Sequence, residues 1–313
     1  VTTRLIVDCD TGIDDAVTLC YLAGRSDVEL VAIGVVHGNV PVATGARNTL
    51  RVLEVVGRPD VPVSVGAARP LAQELHTAEF VHGADGLGDT DQPTPAGSVS
   101  SESAAEQLVR LARAHPGELS LLAIGPMTNL GLALLIEPEL PQLLRQVVIM
   151  GGAFSVPGNV GAFSEANIWH DPEAAELVMG AGWPLRVVGL DITHKTLLRA
   201  PELERIDRSE GAVARFVSSI LPFYLDAYQR RTGERVCPVH DGLAAVLLLE
   251  PELATWEDWP VSVELGGALT RGTTVIDRRP GPHETDRPRP TVQVAVDVDS
   301  DAAVARLLAA LLP

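Results

Sequence analysis

Short apolar runs alternate with helix-patterned stretches from the first residues onward, and this alternation constrains the fold more than any other feature. Leu5–Val7 predicts a strand, Ala16–Ala23 a helix and Leu30–Val36 a second strand. Ala43–Val56 has helical spacing, with Leu50, Leu53 and Val56 on one side. Pro62–Val65 reads as a strand, Ala104–Ala114 as a helix, Leu119–Ile124 as a strand and Leu130–Ile136 as a helix. Val147–Met150, Pro172–Met179 and Leu185–Val188 continue the rhythm as strand, helix and strand. That order builds a parallel sheet covered by helices on both faces. Right-handed crossovers bring all the strand C-termini to one edge, where open α/β sheets bind ligands. The expected class is therefore α/β. It is a single domain over residues 1–313, with a mainly parallel open central sheet flanked by helices and a small antiparallel element near the C-terminus.

The second half is less regular. Gly211–Arg231 predicts one long helix, Gly242–Leu249 another stopped before Pro251, and Ala302–Leu312 a closing helix. Val261–Leu265, Gly272–Ile276 and Thr291–Val296 read as strands with antiparallel character. Arg278–Pro290 holds four prolines among many charges and reads as a surface loop.

Composition narrows the classes of function. With 46% hydrophobic but only 4% aromatic residues, the 313-residue chain must build its core from Val, Leu, Ile and Ala. A net charge of −17 argues against nucleic acid or anionic membrane as a partner. Cys9, Cys20 and Cys237 have no paired spacing, so neither a disulfide framework nor a zinc site is expected. No apolar run is long enough to span a membrane, and no secretory pattern opens the sequence, so a cytoplasmic location is expected. Lys195 is the only lysine, and no motif surrounds it.

The first strand ends in Asp8-Cys9-Asp10-Thr11-Gly12-Ile13-Asp14-Asp15. Carboxylates crowded at one strand end repel each other unless a cation neutralises them, and Ca²⁺ or Mg²⁺ takes such oxygen ligands. Asp14 and Asp15 alone would suit an ordinary helix start; Asp8, Asp10 and Gly12 beside them favour the cation site. A haloacid dehalogenase-like metal-dependent phosphatase is the rival reading. Its Asp-x-Asp-x-Thr loop fits poorly, because Gly12 stands in the fifth place and Thr11 comes one residue early.

Several further motifs follow in order. They are Val36-His37-Gly38-Asn39, His82-Gly83-Ala84-Asp85-Gly86-Leu87-Gly88, Gly125-Pro126-Met127-Thr128-Asn129 and Val148-Ile149-Met150-Gly151-Gly152. Glu165-Ala166-Asn167 and Val239-His240-Asp241 complete the set. Together with the Asp8–Asp15 cluster they closely resemble the inosine–uridine nucleoside hydrolases, from about Leu5 to the C-terminus.

That resemblance implies hydrolysis of the N-glycosidic bond of ribonucleosides, with one Ca²⁺ as cofactor. It implies metal ligation by Asp10, Asp15, Asp241 and the carbonyl oxygen of Ile124. Asp10 would be the general base that activates a Ca²⁺-bound water, and His240, at a near-neutral pKa, the acid for the leaving base. Asp14, Asn39, Asn159, Glu165 and Asn167 would grip the ribose hydroxyls, and Met150 would pack beneath the sugar. His82, in a loop near the mouth, and Tyr228 are further candidates for substrate contact, and Tyr224 lies one turn from Tyr228. The family commonly has Pro where Thr11 and Gly242 stand, and Gly242 could loosen the helix start behind Asp241. The expected partners are a ribonucleoside and further copies of the chain, as a homodimer or homotetramer in nucleoside salvage. A non-catalytic ribonucleoside-binding protein on the same fold is the remaining alternative.

Overall fold

The computed structural model describes residues 2–279 and 289–312. The Pro-rich stretch expected as a surface loop falls, over 280–288, outside the described residues.

The strands are β1 (Thr3–Cys9), β2 (Val28–Val35), β3 (Val63–Val65), β4 (Leu119–Ala123), β5 (Gln146–Met150) and β6 (Leu185–Val188). They continue as β7 (Leu197–Leu198), β8 (Cys237–Pro238), β9 (Ala254–Trp259), β10 (Val261–Val263), β11 (Thr274–Ile276) and β12 (Val292–Val298). Eight of them form one sheet in the order β3-β2-β1-β4-β5-β6-β12-β9. All its pairings are parallel except that of β12 with β9.

The chain runs outward from β1 through β2 to β3, then returns to lay β4 on the other side of β1. Val7 of β1 sits between Ile33 and Leu122. The order reverses at the β1–β4 seam, and beyond the carboxyl ends of such strands lies the crevice of an open α/β sheet.

Side chains alternate across the pleat, so each strand feeds two cores. Leu5, Val7 and Cys9 join Leu122, Val148 and Met150 on one face, under the helices Ile13–Ala23, Ala212–Thr232, His240–Leu249 and Ser300–Leu311. Ile6, Leu121, Ala123, Val147 and Ile149 face the helices Ala104–Ala114, Thr128–Ile136 and Pro172–Met179. Covered on both sides, these strands read in sequence as nearly unbroken apolar runs.

The antiparallel element near the C-terminus is the β10–β11 pair. Thr291–Val296 does not join it. That segment is β12, which enters the central sheet parallel to β6 and carries β9 antiparallel on its outer side. β9 has no counterpart in the sequence-based expectation, because its Ala-Thr-Trp-Glu-Asp-Trp composition reflects an incompletely buried edge. No helix among the described residues is long and apolar enough to cross a membrane.

Candidate active site

The carboxyl ends of the central strands open into a cavity of about 250 Å³. β1 delivers the acidic cluster, with Asp14 and Asp15 in the first turn of the helix Ile13–Ala23. The helix expected from Gly242 starts two residues earlier, so His240 and Asp241 occupy its first turn. Two helix N-termini thus present their positive ends to Asp14, Asp15 and Asp241. Gly242 does not loosen that start. It is buried, and a Cβ there would lie 2.7 Å from Val239 and 3.1 Å from Leu307, so the glycine permits close packing.

Asp14, Asp15 and Asp241 offer carboxylate oxygens within 4.8 Å of one another, a grouping that could hold a metal ion. Asp10 lies alongside rather than in that grouping. Its backbone N–H donates to Asp15 Oδ1 at 3.2 Å, and its own Oδ2 accepts from the Asn39 amide at 2.6 Å. Its Oδ1 is buried without a hydrogen-bond partner, as is Asp14 Oδ1. The Asn39 side chain donates to Asp15 Oδ2 at 3.0 Å, as does the Gly12 amide. Gly38 is required by this approach: a Cβ there would fall 2.0 Å from Asp10 Oδ2.

Burial raises the carboxyls of Asp10 and Asp241 well above the usual range, and neighbouring carboxylates add to the effect. Burial and then Asp14 push Asp15 up to about 7. Dry, mutually repelling carboxylates with unpartnered oxygens fit a hard divalent cation. The Ile124 carbonyl, one residue beyond β4, already accepts from Asn167 Nδ2 at 2.9 Å and retains a second lone pair.

The remaining expected residues converge on the same cavity. Asn39, Met150, Asn159, Glu165, Asn167, His82, Tyr228, His240, Asp14, Asp241 and Ile124 all line it, while Asp10 and Asp15 do not line it themselves and reach Asn39 of its wall by hydrogen bonds. Asn167 Nδ2 also reaches the Met150 carbonyl at 3.1 Å, tying the ends of β4 and β5 together. Glu165 caps the helix Ala166–His170, accepting from the amides of Gly152, Asn167 and Ile168. Asn159 Oδ1 accepts from the Ala166 amide at 2.8 Å.

His82 differs from its expected place in a loop at the mouth. It ends the short helix Glu79–His82, is buried, and accepts the Ile13 amide at Nδ1, 3.1 Å away. His240 also differs in its electrostatics: burial first, then His194, drives its imidazole down to about 3, so the ring is uncharged near neutral pH. Its Nε2 lies 2.8 Å from the Tyr228 hydroxyl, and the Tyr224 hydroxyl donates to Asp14 Oδ2 at 3.2 Å.

Sequence reasoning passed over His76, Phe80, Trp169, His170 and Arg231, which also line the cavity. His76 packs on Trp169 with ring centroids 5.0 Å apart, and Gln73 donates to the Trp169 carbonyl. His76 stands alone in an irregular segment and Trp169 in a helix of only five residues, so neither carries a periodic signal in the sequence.

The sequence profile of the inosine-uridine preferring nucleoside hydrolases matches residues 5–305. A probable uridine nucleosidase 2 of Arabidopsis thaliana is 36% identical over 314 residues, covering 99% of this chain and 97% of its own. An inosine-uridine preferring nucleoside hydrolase of Crithidia fasciculata is 36% identical over 301 residues, covering 95% and 93%. Among solved structures, a plant nucleoside hydrolase superposes with a TM-score of 0.95 at 33% identity, over 100% of this chain and 99% of that one.

Proposed function

The chain belongs to the inosine-uridine preferring nucleoside hydrolase family and hydrolyses the N-glycosidic bond of ribonucleosides; from that premise we propose a Ca²⁺-dependent mechanism with Asp10 as general base. The supporting observation is Asp10 Oδ1, buried without a partner beside a carboxylate cluster that repels itself. Asp10, Asp15, Asp241 and the Ile124 carbonyl would hold the ion. Bound there, Ca²⁺ would orient a water molecule, lower its pKa and anchor ribose hydroxyls.

Asp10 takes the proton from the attacking water as its oxygen bonds to the anomeric carbon. The bond from that carbon to the nucleobase nitrogen breaks, its electron pair leaves with the base, and the base takes up a proton from the Tyr228–His240 pair, which is restored through solvent by the proton that Asp10 releases. Ribose and free nucleobase are the products. His240 and Tyr228, joined through their 2.8 Å contact, serve the leaving base. Asp14, Asn39, Asn159, Glu165 and Asn167 pair the ribose hydroxyls, Met150 supports the sugar, and His82 fixes the turn that presents Asp14. In this reading residues 1–313 work as one unit, in a cytoplasmic homodimer or homotetramer.

A reducing-sugar assay over inosine, adenosine, guanosine, uridine and cytidine tests the reading, with Ca²⁺ present and after chelation. Turnover that stops on verified metal removal and returns with Ca²⁺ supports it. Unchanged turnover without metal overturns the metal role, and phosphate release from a phosphomonoester with no sugar release would favour the phosphatase.

A further inference from the structure

His240 is held at both ring nitrogens by hydroxyls. Nε2 lies 2.8 Å from the Tyr228 hydroxyl, and Nδ1 lies 2.8 Å from the hydroxyl of Thr193, the last residue of the short helix Leu190–Thr193 beyond β6. A hydroxyl can donate or accept, so neither contact alone decides which nitrogen carries the proton.

The surroundings of Thr193 decide it. Its side chain is fully buried, and among the described residues its hydroxyl has no hydrogen-bond partner except His240. Thr18, Thr49, Thr196 and Thr232 each return the hydroxyl to the carbonyl four residues earlier, and Thr193 makes no such bond. Its one hydrogen therefore has one acceptor, the Nδ1 lone pair. Were Nδ1 protonated, the threonine hydrogen would be stranded in a dry site.

Resting on the reading that His240 serves the leaving base, we infer that Thr193 is a positioning residue that fixes His240 in the Nε2–H tautomer. Nε2–H then donates to the Tyr228 oxygen. The Tyr224 hydroxyl donates to the Asp14 carboxylate at 3.2 Å, and its oxygen lies 3.5 Å from the Tyr228 hydroxyl, so the Tyr228 hydrogen turns either to that long contact or to the nucleobase in the cavity.

Two measurements test this. Long-range ¹H–¹⁵N spectra of the ¹⁵N-histidine-labelled, Ca²⁺-loaded protein, with His240→Gln for assignment, report the tautomer without reference to activity. A protonated Nε2 and a bare Nδ1 are expected; a protonated Nδ1 overturns the inference. In the second, Thr193→Val and Thr193→Ser are compared on uridine, inosine and p-nitrophenyl β-D-ribofuranoside, whose leaving group departs without a proton. Thr193→Val should lower kcat on the nucleosides by about 10- to 100-fold, with KM and p-nitrophenyl riboside turnover within about threefold and Thr193→Ser largely restored. Equal loss on all three substrates, or no loss on the nucleosides, overturns it. A wild-type protein that hydrolyses no nucleoside would instead defeat the proposed function, and the spectra would still decide the tautomer.

Discussion

His37 offers a stability prediction whose size follows from its hydrogen bonds. The Thr128 hydroxyl lies 2.7 Å from Asp171 Oδ2 and 3.0 Å from His37 Nε2. An ionised carboxylate only accepts, so Thr128 donates to Asp171 and accepts from His37 Nε2–H. His37 Nδ1 is buried with no partner, and an acid-induced proton there would find no acceptor. Burial first, then His170, pushes the ring down from 6.5 to about 4. A histidine depressed in the folded state contributes stability that is complete above its unfolded pKa and is lost as pH falls from 6.5 towards 4. The loss approaches about 3 kcal/mol in total, with a slope of at most about 1 kcal/mol per pH unit within that window. His37→Gln keeps a donor for Thr128 and cannot titrate. Urea unfolding of both proteins at fixed Ca²⁺, from pH 7.5 to 4.5, reads out the histidine together with its coupling to His170 and Asp171, because titrating groups remote from it cancel in the difference. The wild type should lose about 2 kcal/mol relative to His37→Gln between pH 6.5 and 4.5. A difference that stays flat over that interval, or moves in favour of the wild type, would refute the argument.

Other expectations concern the site. Asp10→Asn should lower kcat by about 10²- to 10⁴-fold with an unfolding midpoint in chelator no lower than that of the wild type, measured as sugar release and by circular dichroism. Gly38→Ala, whose new methyl would meet Asp10 Oδ2 at 2.0 Å, should displace that carboxylate and cost at least about tenfold in kcat/KM. Asn167→Leu should loosen the Ile124 carbonyl it now holds at 2.9 Å, weakening Ca²⁺ binding by about 10- to 100-fold in calorimetry. Uridine and inosine should exceed their 2′-deoxy counterparts by at least about 100-fold in kcat/KM, because hydroxyl partners would otherwise be buried unpaired.

The sequence was most legible where both faces of a strand are covered. β4, all five residues buried, is apolar but for Ser120 and admits few other readings. β9 was not legible: partial exposure at the sheet edge permits Glu257 and Asp258, which resemble loop residues. Thr291–Val296 was recognisable as a strand but not as a neighbour of β6, since composition does not encode which distant strand it joins. In the site, Asp15 and Asp241 stood out because motifs surround them. Thr193 has no such marker, and its role exists only through a ring 47 residues further along the chain.

The reversal of strand order at the β1–β4 seam has a consequence for assembly. Asp15 arrives at the cavity early in the chain and Asp241 late, and the Tyr224–Asp14 bond alone spans 210 residues. The cavity wall is therefore incomplete until the last third of the polypeptide has docked on the first. A cation shared by Asp15 and Asp241 would act as a staple between two remote segments, closing a very long loop at a point where no covalent cross-link exists. Ion affinity in such a protein is then also a gauge of completed folding, because a half-made chain holds only part of the ligand set.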